Sequence, residues 1–189
     1  MGQRSQIYVR YNGRLIIANY YQWNYAERMI SRARWGIEYL KDFADKGYDF
    51  AFRDPSYITR FSRIFDTNFD MHDVAISCDI VKEYHERFPD RDFNDSVFNK
   101  QDNNDGQLFV DIQDGKIFYC FRDMYTNKRM GAARYMSWDR PGWKKSKYLD
   151  DEEKTTCEAN IRAIDEMATL MTKKQLDDFL NGEYTTDAE

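Results

Sequence analysis

The sequence predicts an α+β fold in which two antiparallel β-hairpins, or a meander, form a sheet that packs against several helices. Three observations indicate this class: two pairs of strand-like segments flank tight turns, apolar residues recur elsewhere at helical spacing, and the C-terminal third is helical in pattern. The 189 residues fit a single domain, 1–189, with a helical C-terminal part at about 150–182.

The first predicted element is a hairpin whose turn is Asn12-Gly13, a dipeptide suited to the positive φ angles of a type I′ turn. A two-residue turn fixes which residues of the two strands lie opposite each other. The pairs expected on one apolar face are Val9 with Ile16 and Ile7 with Ala18. The other face then carries Tyr8, Arg10, Leu15 and Ile17.

A long helix should follow, because apolar residues recur at helical spacing from Ala26 to Ala44. Asn24 is the expected N-cap, with Glu27 three residues later in a variant of the capping box, and Gly47 is the expected end. A shorter helix should open at Asp54-Pro55, where an N-cap precedes a proline in the first turn.

The segment 71–84 is ambiguous, since its apolar run fits a strand or a buried helix. A helix is favoured because Val74, Cys78 and Val81 then share one face, and Pro89 would end it.

A second hairpin should turn at Asp114-Gly115. Its expected cross-strand pairs are Leu108 with Phe121, Val110 with Tyr119, and Ile112 with Ile117. A third strand is expected over 129–136, and a helix should begin at the acidic run from Asp150. Its apolar stripe is Cys157, Ile161, Ile164, Ala168 and Met171. Thr172 should cap a last helix that ends before Gly182.

Charge is segregated along the chain, although its net value is only −5. Residues 1–41 carry seven Lys and Arg against two acids, and residues 116–149 carry nine against two. Both segments are rich in aromatic residues, and because basic groups neutralise phosphates while flat rings stack on bases, a face that binds DNA or RNA is one prediction. The residues expected to cluster there are Arg10, Arg14, Arg28, Arg32, Lys144, Lys145 and Lys147. The alternative is that the rings build the core and the charges disperse over the surface.

The sequence carries no signature of a cofactor or structural metal. It contains no P-loop, GxGxxG, GxSxG or CxxC motif, and its two histidines lack the zincin spacing, so we expect neither a cofactor nor a metal. One pattern leaves a metal-dependent nuclease open, because Pro89-Asp90 and Asp114-Gly115-Lys116 fit the loose PD-(D/E)xK arrangement. The same Asp114-Gly115 is the natural hairpin turn, which would carry the acid away from the sheet.

Cysteine usage indicates the compartment. Cys78, Cys120 and Cys157 are odd in number, widely spaced and set in apolar stretches, which is typical of buried free thiols in a reducing environment. No apolar run approaches the ~20 residues of a membrane span, and the polar start is unlike a signal peptide. We therefore expect a soluble, cytoplasmic protein without a membrane partner.

The stretch YNGRLIIANYYQWNY at 11–25, continued by ERMISRA at 27–33 and more weakly by RIFD at 63–66, resembles a family of small proteins from phages and mobile elements of gut Firmicutes. Some members are similar to anti-CRISPR inhibitors of Cas9. The likeness covers about the first quarter of the chain and contains no catalytic motif.

The resemblance implies a non-enzymatic inhibitor of a Cas9-type nuclease that acts in the host bacterial cell and contacts the nuclease, its guide RNA or other nucleic acid. Because aromatic and Arg side chains are the usual anchors of interfaces, the first expected contacts are Tyr20, Tyr21, Trp23, Arg28 and Arg32. Two other functions stay open: a nucleic-acid-binding accessory protein without a nuclease target, and the metal-dependent nuclease of the PD-(D/E)xK pattern. For Trp23 and Tyr25, a purely structural role at the corner between strand and helix is also open.

Overall fold

The computed structural model describes residues 2–68, 70, 73–74, 78–90, 104–123 and 125–182, and the statements below concern these residues. Their strands are β1 (Arg4–Tyr11), β2 (Arg14–Gln22), β3 (Thr67–Asn68), β4 (Asp73–Val74), β5 (Cys78–Asp79), β6 (Gln107–Gln113), β7 (Lys116–Asp123), β8 (Lys128–Met130) and β9 (Thr169–Leu170). Their α-helices are α1 (Ala26–Asp45), α2 (Pro55–Asp66), α3 (Ile80–Arg87), α4 (Ala132–Asp139), α5 (Asp151–Met167) and α6 (Lys173–Leu180). Two short 3-10 turns span Asp49–Phe52 and Trp143–Lys145.

The α+β prediction is confirmed, and the two hairpins share one mixed sheet. Its strand order is β5-β2-β1-β6-β7-β8, and β9 adds a parallel pairing to β7. The hairpins are joined at the centre of the sheet by β1 and β6, which pair in parallel. Because parallel neighbours require a crossover connection, the chain leaves the sheet after β2, adds β5 to its edge, and returns to its centre at β6.

The register of the first hairpin differs from the prediction. The pairing follows the Asn12-Gly13 turn as far as Arg10 and Leu15, and then shifts by one residue, so that Val9 lies opposite Ile17 instead of Ile16. A β-bulge inserts one extra residue into a strand, and the apolar pattern gives no sign of it because Ile16 and Ile17 have the same side chain. The further pairs are Tyr8 with Ala18 and Ile7 with Asn19.

The second hairpin has the predicted register throughout. Its observed pairs include Leu108 with Phe121, Val110 with Tyr119, and Ile112 with Ile117. No bulge interrupts β6 and β7, so the turn alone sets their alignment.

Both faces of the sheet are covered. The larger core packs residues such as Val9 and Val110 against α1, α2, α4 and α5. The smaller core, on the opposite face, packs Tyr8 and Phe109 against residues of α3 and α6. The alternating side chains of β1 and β6 therefore enter two different cores, which explains why nearly every position in these strands is buried.

Helix α1 carries the predicted apolar stripe. Its buried apolar members are Ala26, Met29, Ile30, Ala33, Ile37 and Leu40. Gly36 lies within the same helix, and the buried ring of Phe65 from α2 occupies the space beside it: a Cβ at position 36 would lie 2.1 Å from that ring. The close packing of α1 against α2 thus depends on this glycine.

Two element predictions were wrong in part. Within 71–84, Asp73–Val74 and Cys78–Asp79 are short strands, and a helix begins only at Ile80; residues 71, 72 and 75–77 lie outside the described residues. Cys78 pairs with Tyr20 at the edge of the sheet, a tertiary contact that no local pattern reveals. The strand expected over 129–136 ends at Met130, because Ala132, Tyr135 and Met136 have helical spacing and form the buried side of α4.

The C-terminal helices follow the prediction closely. Asp150 and Thr172 each form a capping box at the start of α5 and α6. The stripe of α5 enters the larger core as far as Ala168, but Met171 lies in the smaller core because the chain crosses the sheet edge through β9.

We predict that Gly36→Ala destabilises the protein. Helix propensity alone would make this change stabilising by about 1 kcal/mol, whereas overpacking a filled core costs about 1–3 kcal/mol. Because Phe65 is fully buried and its ring has no free space to enter, the clash should dominate and urea denaturation should show a lower free energy of unfolding.

Phe65→Leu provides the control for this prediction. Removal of the ring should make Gly36→Ala less harmful in the Phe65→Leu background than in the native chain. A Gly36→Ala variant more stable than the native protein would contradict this description of the packing.

Candidate interaction surface

Three of the predicted contact residues are not accessible to a partner. Arg10, Tyr21 and Arg32 are all buried. Arg10 donates from Nε to Asp111 Oδ1 at 3.1 Å, and its guanidinium lies 4.5 Å from the ring centroid of Phe179. It also donates to the carbonyl oxygen of Asp178, so it fastens α6 to the sheet.

Arg32 connects three parts of the structure. Its Nε donates to Asn24 Oδ1 at 2.8 Å, and its NH1 donates to the carbonyl oxygens of Phe65 at 3.0 Å and Asp66 at 2.7 Å. These carbonyls belong to the last turn of α2, where backbone acceptors lack helical partners. Tyr21 donates its hydroxyl to Asp66 Oδ1 at 3.0 Å. Both predicted contacts are therefore structural.

The remaining predicted residues do not form the single expected cluster. Arg14 begins β2, whereas Trp23 follows its end; eight residues of strand separate Arg14 from Gln22, about 26 Å. Lys144 pairs with Glu158 of α5 at 2.7 Å, while Lys147 lies against the ring of Tyr148. Lys145 is exposed, and Tyr20 is half-buried against the smaller core.

The two basic segments nevertheless meet at one place, around the ring of Tyr25. The guanidinium carbons of Arg28 and Arg140 each lie 5.5 Å from its centroid, a distance at which cations interact with aromatic faces. The backbone of Trp23 adjoins this group, because Arg28 NH1 donates to the carbonyl oxygen of Trp23 at 3.4 Å. We name Trp23, Tyr25, Arg28 and Arg140 the Tyr25 corner.

The two aromatic residues of this corner have different roles. Tyr25 is half-buried and packs against the larger core, as a residue that staples strand to helix should. Trp23 is 55% exposed, so most of its ring surface faces solvent. The structural role that was the alternative for both residues therefore accounts for the position of Tyr25. It does not account for Trp23, which has no comparable packing role.

The backbone of the corner is strained. Trp23 has φ 60° and Ala26 has φ 38°, values in the left-handed region that cost a non-glycine residue about 1–2 kcal/mol. The N–H of Trp23 donates to the carbonyl oxygen of Gln3, which holds the turn against β1. Strain of this kind persists where surrounding contacts impose it, and it concentrates at functional sites.

The start of α1 is held by a carboxylate from another helix. Asn24, the predicted N-cap, uses its Oδ1 to accept from Arg32, and the N–H of Ala26 donates to Asp139 Oδ2 at the end of α4. Asn24 also donates to Ser5 Oγ, so its side chain points into the interior. Tyr25 has the N-cap position but makes no side-chain cap.

Asp139 is hydrogen-bonded to a second carboxyl group, that of Asp105. Asp105 accepts the N–H of Arg4 at the start of β1, and Tyr135 donates to the Asp105 carbonyl oxygen at 2.8 Å. Burial, and then the negative charge of Asp139, raise the pKa of Asp105 to about 7; burial also raises the pKa of Asp139. The pair therefore holds one proton up to near-neutral pH.

The corner offers mixed electrostatics to a partner. Arg140 donates to Glu27 Oε1 at 2.8 Å, and burial raises the pKa of Glu27 although Arg140 opposes that shift. The corner thus combines an exposed indole, two guanidiniums on the ring of Tyr25 and one paired carboxylate, groups that can stack, donate hydrogen bonds and fill an apolar pocket. These are the properties of a contact surface.

The nuclease pattern gains no metal site in the described residues. Asp114 lies in the hairpin turn with φ 49°, is exposed, and donates its N–H to Asn12 Oδ1. Lys116 is the exposed first residue of β7. Across the described ranges no group of three or more His, Cys, Asp or Glu is arranged to hold a metal ion.

The thiols are poor nucleophiles. Burial and then Glu83 raise the pKa of Cys78 to about 12, and burial raises the pKa of Cys120 and Cys157 to about 12 as well. Of the helices the structure describes, none is both long and apolar enough to cross a bilayer.

Comparison of the chain with protein-family models, curated proteins and solved structures finds no match. The likeness to the phage family and the Cas9-type partner therefore stay predictions. Sequence reasoning selected Trp23 and Arg28 but missed Arg140, whose position beside Tyr25 depends on the packing of α4 against α1.

We predict that Arg32→Ala lowers the free energy of unfolding by at least about 3 kcal/mol, because it leaves two carbonyls and an amide oxygen buried without their donor. Arg28→Ala, on the half-exposed side of the same helix, should change it by less than about 1 kcal/mol. Equal effects in urea denaturation would show that Arg32 is not the structural residue described.

We predict that Asp105→Asn stabilises the protein above neutral pH. An Asp with a raised folded pKa contributes stability below its unfolded pKa of about 3.9, and this is lost as pH rises through the folded value of about 7. Asparagine keeps the acceptor for Arg4 and always offers Asp139 a donor. The variant's stability relative to the native protein should therefore rise by on the order of 1–2 kcal/mol between pH 5 and pH 8.

Asp177→Asn, at an exposed carboxylate of α6, is the matched control and should show no such trend. A flat difference between Asp105→Asn and the native protein across that pH range would rule out the shared proton.

Proposed function

We propose that the protein is a non-enzymatic binding protein that inhibits a Cas9-type nuclease, with the Tyr25 corner as a principal contact. The observation that carries the proposal is an exposed tryptophan, Trp23, in a strained backbone conformation two residues before Tyr25, whose ring lies against two guanidiniums. Tryptophan and arginine are the residues most enriched among the energetic centres of protein interfaces.

The cost of this arrangement supports a role beyond folding. Trp23 occupies a left-handed conformation that Gly or Asn would adopt with less strain, and its ring remains more than half exposed. A tryptophan selected for packing would be buried, as Trp143 is in the same protein. The resemblance of residues 11–33 to phage proteins supplies the choice of nuclease.

Binding of the purified protein to Cas9, with and without guide RNA, tests the proposal. The native protein should bind the nuclease and block target cleavage without turnover. Trp23→Asn should weaken binding by about 30-fold or more, because Asn tolerates the positive φ while the ring is lost. Far-UV circular dichroism and thermal unfolding should show that this variant keeps its fold.

Arg28→Gln, in the first turn of α1 beyond the end of β2, and Arg14→Gln, at the start of β2, form a matched pair of charge variants. The first should weaken binding, and the second should leave it within about two-fold. Failure to bind Cas9 in either state would remove the inhibitor proposal. Binding of labelled duplex DNA alone, lost at higher salt, would favour the nucleic-acid-binding accessory protein, and DNA cleavage with Mg²⁺ would favour the nuclease.

A further inference from the structure

A second surface runs along the outer side of α2, from Phe50, beyond the C-terminal end of α1, to Arg63, within one turn of the α2 carbonyls that Arg32 binds. It consists of Phe50, Arg53, Tyr57, Arg60 and Arg63, which we name the α2 face. The α2 face lies within residues 42–115, which carry more acids than bases. A count of charge by segment therefore does not reveal its three arginines.

The aromatic part of the α2 face is open to solvent. Phe50 is 56% exposed, and its ring meets that of Tyr57 edge to face with centroids 5.6 Å apart. Tyr48, also exposed, contacts Phe50 in a tilted arrangement with ring centroids 5.7 Å apart. Phe50 is thus held in position by its neighbours while its own ring surface remains available for stacking.

The three arginines of the α2 face differ from the basic residues of α1. On α1, Arg34, Lys41 and Lys46 each pair with a carboxylate one turn away. Arg53, Arg60 and Arg63 are exposed, and among the described residues none has a carboxylate within ion-pairing distance. Their charges are only partly offset: Arg60 helps to lower the pKa of Asp54, Arg63 opposes the rise in the pKa of Asp66, and Arg53 hydrogen-bonds to Tyr11.

The geometry of α2 aligns these charges with the rings. Arg60 and Arg63 are three residues apart and share one side of the helix. The guanidinium of Arg60 lies 5.2 Å from the centroid of Tyr57, which places a cation against the aromatic group. Arg53 borders a shallow concavity of about 580 Å³ next to Phe50.

Two acids also border the concavity, but both serve the fold. Asp49 accepts the hydroxyl of Tyr11 at 2.7 Å. Asp54 caps α2 by accepting from the N–H of Ser56 at 2.8 Å, and the hydrogen bonds from Ser56 lower the pKa of this carboxyl group. They reduce the net charge of the area, so binding there should be modest and sensitive to salt.

We propose that the α2 face binds single-stranded nucleic acid, with a base stacked on Phe50 and phosphates on Arg53, Arg60 and Arg63. Proteins that bind single strands without sequence preference combine such basic rows with exposed rings. A duplex offers the same phosphates but no unpaired base, so the rings distinguish the two. This inference does not depend on a nuclease partner.

Fluorescence anisotropy with a labelled 15-nucleotide oligothymidine and the whole protein tests the proposal. Three phosphate contacts predict that log affinity falls against log salt with a slope of about −2. Phe50→Ser should weaken binding by at least about five-fold, because one base loses its stacking partner. Arg60→Gln combined with Arg63→Gln leaves one phosphate contact and should reduce the slope to about −0.7.

The double variant Lys41→Gln/Lys46→Gln removes the same charge from the ion-paired end of α1 and should retain the native slope. Trp23→Asn should bind the oligonucleotide as the native protein does, because Trp23 is not part of the α2 face. A failure of the protein to bind Cas9 would therefore leave this proposal intact. Absence of binding at low salt, equal binding of a duplex, or unchanged affinity of Phe50→Ser would each overturn the proposal.

Discussion

The hydrogen bond between the carboxyl groups of Asp105 and Asp139 joins the parts of the chain that the rest of the structure depends on. Asp105 accepts the N–H of Arg4 and Asp139 accepts that of Ala26, so the start of β1, the approach to β6 and the start of α1 are fixed relative to the end of α4. The parallel pairing of β1 with β6 begins two residues beyond this junction. A buried polar junction of this kind costs desolvation energy, but it specifies one arrangement of strands and helices.

Much of the fold follows from local sequence. The turn at Asp114-Gly115 sets the second hairpin completely, and the caps at Asp150 and Thr172 start their helices as predicted. The departures have non-local causes. The bulge beside Val9 depends on the two cores that β1 must enter, and Asn24 is not a cap because Arg32 takes its oxygen.

The candidate site was less predictable than the fold, for a related reason. Arginines were expected on the surface, but Arg10 and Arg32 are buried because carboxylate and carbonyl oxygens brought by distant segments satisfy them. Conversely, Arg53, Arg60 and Arg63 were not selected as contacts, because the segment that contains them, 42–115, has a net negative charge. Whether a charge is free depends on its spatial neighbours, and two distinct surfaces, the Tyr25 corner and the α2 face, are the result.

The most direct test of the central junction is an NMR titration of the ¹³C-labelled aspartate carboxyl groups, followed together with the amide of Ala26. The shared proton predicts that one buried carboxyl group titrates near pH 7 and that the Ala26 amide shifts with it, because this amide donates to Asp139. If every aspartate titrates below about pH 5 and the Ala26 amide shows no transition near neutrality, the junction as described does not exist.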